Sequence, residues 1–262
     1  LKPAPENTGR VVKRIDCPKG EQDIPLLLSS VNTEKLFLQT GLRNQFGHEI
    51  STVEHMLSAV FCLNIDNLII ECDGPEMPIL DGSAQQWLDL LDSAGIAEQN
   101  APATVLKIPE TSGEIPLPRG DKKAEFKAKP SDDLHYEILL DYGYPTLPNG
   151  ERVAFTITEQ TFRTDIGPAH TFATEEEVKY AQANGLAKGG TLQDALVFTQ
   201  AGMLNPKLVR FTGNPTEPAR HKVLDLIGDL ALIGKRLQGS VFVSYPGHYV
   251  NYNVAKALVG QA

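Results

Sequence analysis

Long apolar runs are missing from this chain of 262 residues. No segment approaches the roughly 18 consecutive apolar residues of a membrane-spanning helix, and no signal-peptide pattern opens it. Stable membrane insertion is therefore not expected. Cysteine is scarce. Cys17, Cys62 and Cys72 are an odd number at spacings that match no zinc motif, so a disulfide framework and a cysteine zinc site are both disfavoured. Cys62 and Cys72 sit in apolar runs and read as core thiols, which favours a reducing compartment. Basic excess is lacking too. Lys and Arg number 24 against 33 Asp and Glu, a net charge of -9. That argues against a nucleic-acid binder with a general basic surface, while leaving room for a local basic pocket that takes a small phosphorylated ligand. H-E-x-x-H is absent, which excludes a zincin.

What remains is ordinary for a soluble globular protein: 41% hydrophobic and 22% charged residues. The length suits one large domain or two of usual size. The chain begins L-K-P-A-P without Met, from which a preceding N-terminal piece is expected. Strand signals cover 11–15, 24–31 and 35–42. Ser51-x-x-Glu54 reads as a capping box opening a helix, followed by a short buried strand at 67–72. Asp81-Gly82-Ser83 reads as turn chemistry only, with Ser83 capping an 84–94 helix. The polar 97–104 connector is the expected boundary between a first domain, 1–100, and a second, 101–262. Strand signals resume at 105–108, 124–128, 135–141 and 152–157. Thr174-x-x-Glu177 opens a helix to about Ala183, and a strand is expected at 195–199. Another strand at 239–244 and a helix at 249–258 close the chain. Each half shows strands, a helix, a strand and a helix, so an α+β fold with internal duplication is expected.

One stretch stands out. Arg220–Gly234 reads as a helix with Pro218 before it, where a missing N–H costs nothing. Leu224, Ile227, Leu230, Ala231 and Ile233 leave little polar surface, so the helix should be buried. Yet His221, Asp225 and Asp229 recur every four residues along one side. Buried charges are normally paired or bound to a metal. A buried His221–Asp225 ion pair and a metal site are both open from that pair alone. His55 is a third candidate ligand, against the plain alternative of a core histidine. Two His and one Asp leave an open position, the layout of a catalytic zinc site; Fe2+ suits the same donors. Glu54 beside His55 is either the cap or a general base at a metal-bound water. His248, near a helix N-terminus, is either a surface residue or an imidazolium steadied by Asp229, ready to donate a proton. Thr171 is either a loop residue or a donor to a developing oxyanion. Lys222 would face a site mouth and an anionic or polar substrate. His48 and His135 read as structural or surface residues.

Taken together, S-T-V-E-H at 51–55, D-G-P-E-M-P-I-L-D-G-S-A at 73–84, H-T-F at 170–172, R-H-K-V-L-D-L-I-G-D-L at 220–230 and G-H-Y-V-N at 247–251 resemble the UDP-3-O-acyl-N-acetylglucosamine deacetylases of lipid A synthesis. The resemblance implies a zinc amidase of the Gram-negative cytoplasm, and a monomer is expected. It implies removal of the N-acetyl group from a UDP-linked acylated glucosamine. It implies that His55, His221 and Asp225 bind zinc, that Glu54 is the general base, and that His248, steadied by Asp229, is the general acid. Thr171, Lys222 and Phe172 would face the substrate. The implied fold is two similar α+β domains, each a sheet with two helices, the helices sandwiched between the sheets. An insert at about 178–195 would form an apolar acyl passage lined by Leu186, Gly190 and Leu192. The chain departs from the family pattern in two places. The family's opening strands, with a G-x-G-L-H segment, are missing before Leu1, and His170 stands where Arg is usual. Two other classes stay open: a non-catalytic binding protein with the same fold, and a zinc amidase for another acylated amino sugar.

Overall fold

The computed structural model of the chain describes residues 1–183 and 191–260. Two main sheets carry the architecture. The smaller has four strands in the order Lys2–Pro3, Leu68–Cys72, Arg10–Arg14, Asp23–Pro25. The larger runs Asn149–Thr156, Leu134–Asp141, Arg236–Ser244, Lys123–Lys129, Thr111–Pro116, and Val105–Lys107 also pairs with the 236–244 strand. Each sheet has one long parallel pair bridged by a helix: 10–14 with 68–72 around the Glu54–Cys62 helix, and 134–141 with 236–244 around the Glu217–Leu230 helix. A parallel pair needs such a crossover. The fold is mixed α+β, as expected. A further short sheet joins Phe172–Thr174, Leu196–Thr199 and Gly202–Met203.

Alternation sets which face is buried. In Lys123–Lys129 the lysines and Glu125 point out while Ala124, Phe126 and Ala128 point in. Tyr136, Ile138 and Leu140 point in from the 134–141 strand, on the other side of the 236–244 strand. The 54–62 and 217–230 helices are buried almost all round. They pack directly on each other, and the 217–230 helix also meets the 134–141 strand. Gly228 is the crossing point. A Cβ there would overlap the Glu54 carbonyl oxygen and come within 2.9 Å of the Glu54 Cα, so the absence of a side chain lets the two backbones approach.

Several sequence expectations shift. The central helix starts at Glu217, earlier than the expected Arg220, because the Thr216 side chain caps it by accepting from Ala219 N at 3.4 Å. It ends at Leu230, passes through a 3-10 turn and stops at Gly234 in the left-handed region. The expected 24–31 and 35–42 strands are mostly turns and short 3-10 segments around brief strands at Asp23–Pro25 and Leu42–Arg43. The Thr111–Pro116 strand was not foreseen.

The Ser51–Glu54 capping box does not form. Ser51 backbone groups instead bond Pro75 O and Met77 N, and Thr52 turns away at φ 60°. A β-branched residue in that region is strained and has to be held there by its surroundings. The Thr52 hydroxyl meets Gln39 and Glu76 at 3.0 Å each. The second box does form: Glu177 accepts from Thr174 N at 2.8 Å, and Thr174 Oγ1 from Glu177 N at 3.2 Å.

Candidate metal centre

Freed from capping, Glu54 turns into the interior. It opens the 54–62 helix, with His55 beside it, and both are buried. The 217–230 helix brings His221 and Asp225, one turn apart, against that helix. Nitrogen and oxygen atoms of His55, His221 and Asp225 lie within 4.8 Å of one another. Asp225 Oδ1 is 3.3 Å from His221 Nε2 and 3.8 Å from His55 Nε2. The two imidazoles stand edge-to-face, their centres 4.9 Å apart.

The residues fit a metal ion. Asp225 Oδ1 is buried and has no hydrogen-bond partner among the described residues, although it faces two ring nitrogens. A buried acceptor in that state calls for a cation or a proton. His221 Nδ1 lies 3.0 Å from the Ala169 carbonyl. A carbonyl only accepts, so Nδ1 carries the hydrogen and Nε2 keeps its lone pair for a ligand. Burial, then the charge of His221, push the His55 imidazole down to about 3, which keeps it neutral and able to coordinate. Burial opposes ionisation of Asp225, but the Lys222 ammonium and His221 hold it well below the ordinary carboxylate range.

A second buried cluster adjoins the first. His248 Nε2 lies 3.7 Å from Glu54 Oε1, and its Nδ1 lies 2.9 Å from Asp229 Oδ2. Burial works against the His248 cation. Asp229 and Glu54 outweigh it, lifting the imidazole to about 9. Burial raises the Glu54 carboxyl to about 7, with His248 pulling the other way. One buried group thus titrates near neutrality and its neighbour above it. Asp229 also accepts from Asn251 Nδ2 at 2.8 Å and Thr40 Oγ1 at 2.5 Å, while Thr40 N donates to Glu54 Oε2 at 3.1 Å.

The other expected residues divide. Lys222 is largely buried. Its ammonium bonds Asp225 Oδ2 at 2.7 Å and lies 5.3 Å from the centre of the Phe172 ring, so it is committed to the centre as well as near its mouth. Phe172 stands edge-on to His221 at 6.3 Å. Thr171 is held by both backbone groups, its N–H donating to Gly82 O at 2.7 Å and its carbonyl accepting from Leu196 N at 2.8 Å. The Asp81–Ser83 turn is thus more than a turn: it anchors Thr171. Leu192 is 55% exposed; Leu186 and Gly190 lie outside the described residues. His48 and His135 are peripheral, bonded to Glu21 and Thr156. Thr40, Asn251 and the Ala169 carbonyl were missed. Only Asn251 left a trace, three residues after His248.

Two buried imidazoles and a carboxylate, with a raised carboxyl and an imidazolium alongside, define a candidate centre for metal-assisted hydrolysis. A family model described as UDP-3-O-acyl N-acetylglycosamine deacetylase matches residues 1–260. The chain is 35% identical over its full length to the UDP-3-O-acyl-N-acetylglucosamine deacetylases of Shewanella woodyi and Shewanella oneidensis, covering 82% of each. Against the protein of the same name from Pseudoalteromonas atlantica it is 36% identical over 260 residues, again 82% of that protein. The chain belongs to the UDP-3-O-acyl-N-acetylglucosamine deacetylase family, and it is an enzyme, a hydrolytic deacetylase.

Proposed function

We propose that the chain hydrolyses the N-acetyl group of UDP-3-O-(3-hydroxyacyl)-N-acetylglucosamine, releasing acetate and the free amine, as a step of lipid A biosynthesis. Family membership supports the reaction, and the convergence of His55, His221 and Asp225 beside Glu54 carries it. These three residues would hold Zn2+, Fe2+ being compatible with the same donors. When bound, the ion supplies Lewis acidity and makes water more acidic near neutral pH.

The protein's own groups do the proton work. Glu54, raised to about 7, takes the proton of the attacking water. His248 holds a proton at Nε2 and delivers it to the departing amine, because an amide nitrogen leaves poorly as an anion. Asp229 keeps His248 charged through Nδ1, and Thr40 and Asn251 fix the Asp229 carboxylate. Thr171 donates to the oxyanion as the carbonyl becomes tetrahedral. Lys222 and Phe172 face the substrate beside the centre. The organisation is two domains, 1–100 and 101–262, acting as a monomer in a Gram-negative cytoplasm. Among the described residues no helix is long and apolar enough to cross a membrane.

The test combines metal analysis with a deacetylation assay on the purified chain. Acetate release that a chelator abolishes, Zn2+ restores and His221→Ala removes supports the proposal. A metal-free chain that binds the UDP-sugar without turning it over would make it a binding protein instead. Equal turnover of short-acyl and long-acyl substrates would redirect it to another acylated amino sugar.

A further inference from the structure

Glu217 takes no part in the mechanism above, yet it is 1% exposed. Its carboxylate opens the helix that carries His221, one turn before it. Oε1 accepts from the His170 backbone N–H at 2.9 Å and lies 2.7 Å from His170 Nδ1. Oε2 accepts from Arg210 N at 2.6 Å and Phe211 N at 3.1 Å. Four donors on one buried carboxylate is close to its full capacity. His170 follows Ala169, whose carbonyl accepts from His221 Nδ1, and precedes Thr171. The Arg210 side chain continues outward to Pro168 O at 2.9 Å and to Asp81 at 2.8 Å. Although burial favours the neutral form, these bonds hold the Glu217 carboxyl below its ordinary range.

We infer that Glu217 is a positioning residue for the metal centre: by gripping His170, its carboxylate fixes the strap whose Ala169 carbonyl orients the His221 ring. The inference rests on the reading of His55, His221 and Asp225 as metal ligands. The physical reason is that an imidazole ligand is only as well aimed as the partner of its other nitrogen, and losing that partner costs about 10–100-fold in metal affinity. Glu217→Gln keeps size and shape but presents an amide N–H edge to donors on one side. Two backbone N–H groups, or the His170 pair, then face a donor instead of an acceptor, and the strap must move.

The experiment measures Zn2+ affinity of the full chain by competition with a chelator, and the Co2+ absorption spectrum, with apo-protein melting temperature measured in parallel. His221→Ala serves as the ligand control, and His170→Asn restores a donor near the Nδ1 position. The expected result is a loss of about 10–100-fold in Zn2+ affinity for Glu217→Gln, with an altered Co2+ spectrum, and His170→Asn within about threefold of wild type. Unchanged Zn2+ affinity and Co2+ spectrum in a folded Glu217→Gln would overturn the inference even if its melting temperature fell. If that variant does not fold, His170→Leu takes its place: reduced Zn2+ affinity supports the inference, and wild-type affinity overturns it. A wild-type chain that binds no Zn2+, or His221→Ala binding it as well as wild type, would instead sink the metal assignment itself.

Discussion

Gly228→Ala puts the helix crossing under direct test. An alanine Cβ would overlap the Glu54 carbonyl oxygen and lie 2.8 Å from the carbonyl carbon. Ordinary carbon contacts are about 3.5–4.0 Å, so the two helices must separate by about 1 Å. The obstacle is backbone on both sides, and no flexible side chain can yield. In an unhindered helix the same change would stabilise by about 1 kcal/mol. Overpacking of this kind costs about 1–3 kcal/mol, so the expected sign is a net loss of up to about 2 kcal/mol. For a chain of this length that lowers Tm by up to about 8 °C. The catalytic cost should be larger. One helix carries His221 and Asp225, the other Glu54 and His55, and a misplacement of about 1 Å costs about a hundredfold in rate. Calorimetry and kcat/KM for deacetylation are the assays. A variant as stable as wild type, with unchanged kcat/KM, would refute the claim that this contact sets the spacing of the centre.

Three further outcomes are expected. Glu54→Gln should cut kcat by about a hundredfold or more while zinc content stays stoichiometric; zinc loss would make Glu54 a ligand. His248 acts while protonated, so activity should fall as pH rises through about 9, and His248→Ala should lose that alkaline limb; a limb that persists would remove His248 from the acid role. Asp229→Asn withdraws the charge that holds the imidazolium, so the same limb in kcat should move to lower pH, and a limb that stays in place would show that Asp229 does not tune His248.

The parts of this protein that were legible in its sequence are those set by local periodicity. Alternation marked the 124–128 and 135–141 strands, and the four-residue spacing of His221, Asp225 and Asp229 put three ionisable groups on one side of a buried helix. Thr174-x-x-Glu177 named its own cap, because capping is a contact between near neighbours. The same logic misread Ser51-x-x-Glu54. Ser51 was claimed by pairing with the 75–77 segment, and Glu54 was left to serve the interior. Nothing local distinguishes the two boxes. What only the tertiary structure decided is every contact made across long separations. His55 meets Asp225, Thr40 reaches Asp229 across 189 residues of chain, and the Ala169 carbonyl sets the tautomer of His221. Those partners carry no pattern of their own, since a threonine hydroxyl or a backbone carbonyl looks the same in any loop. The helix proposed its ligands by spacing; the close crossing at Gly228 selected which distant residues complete the centre.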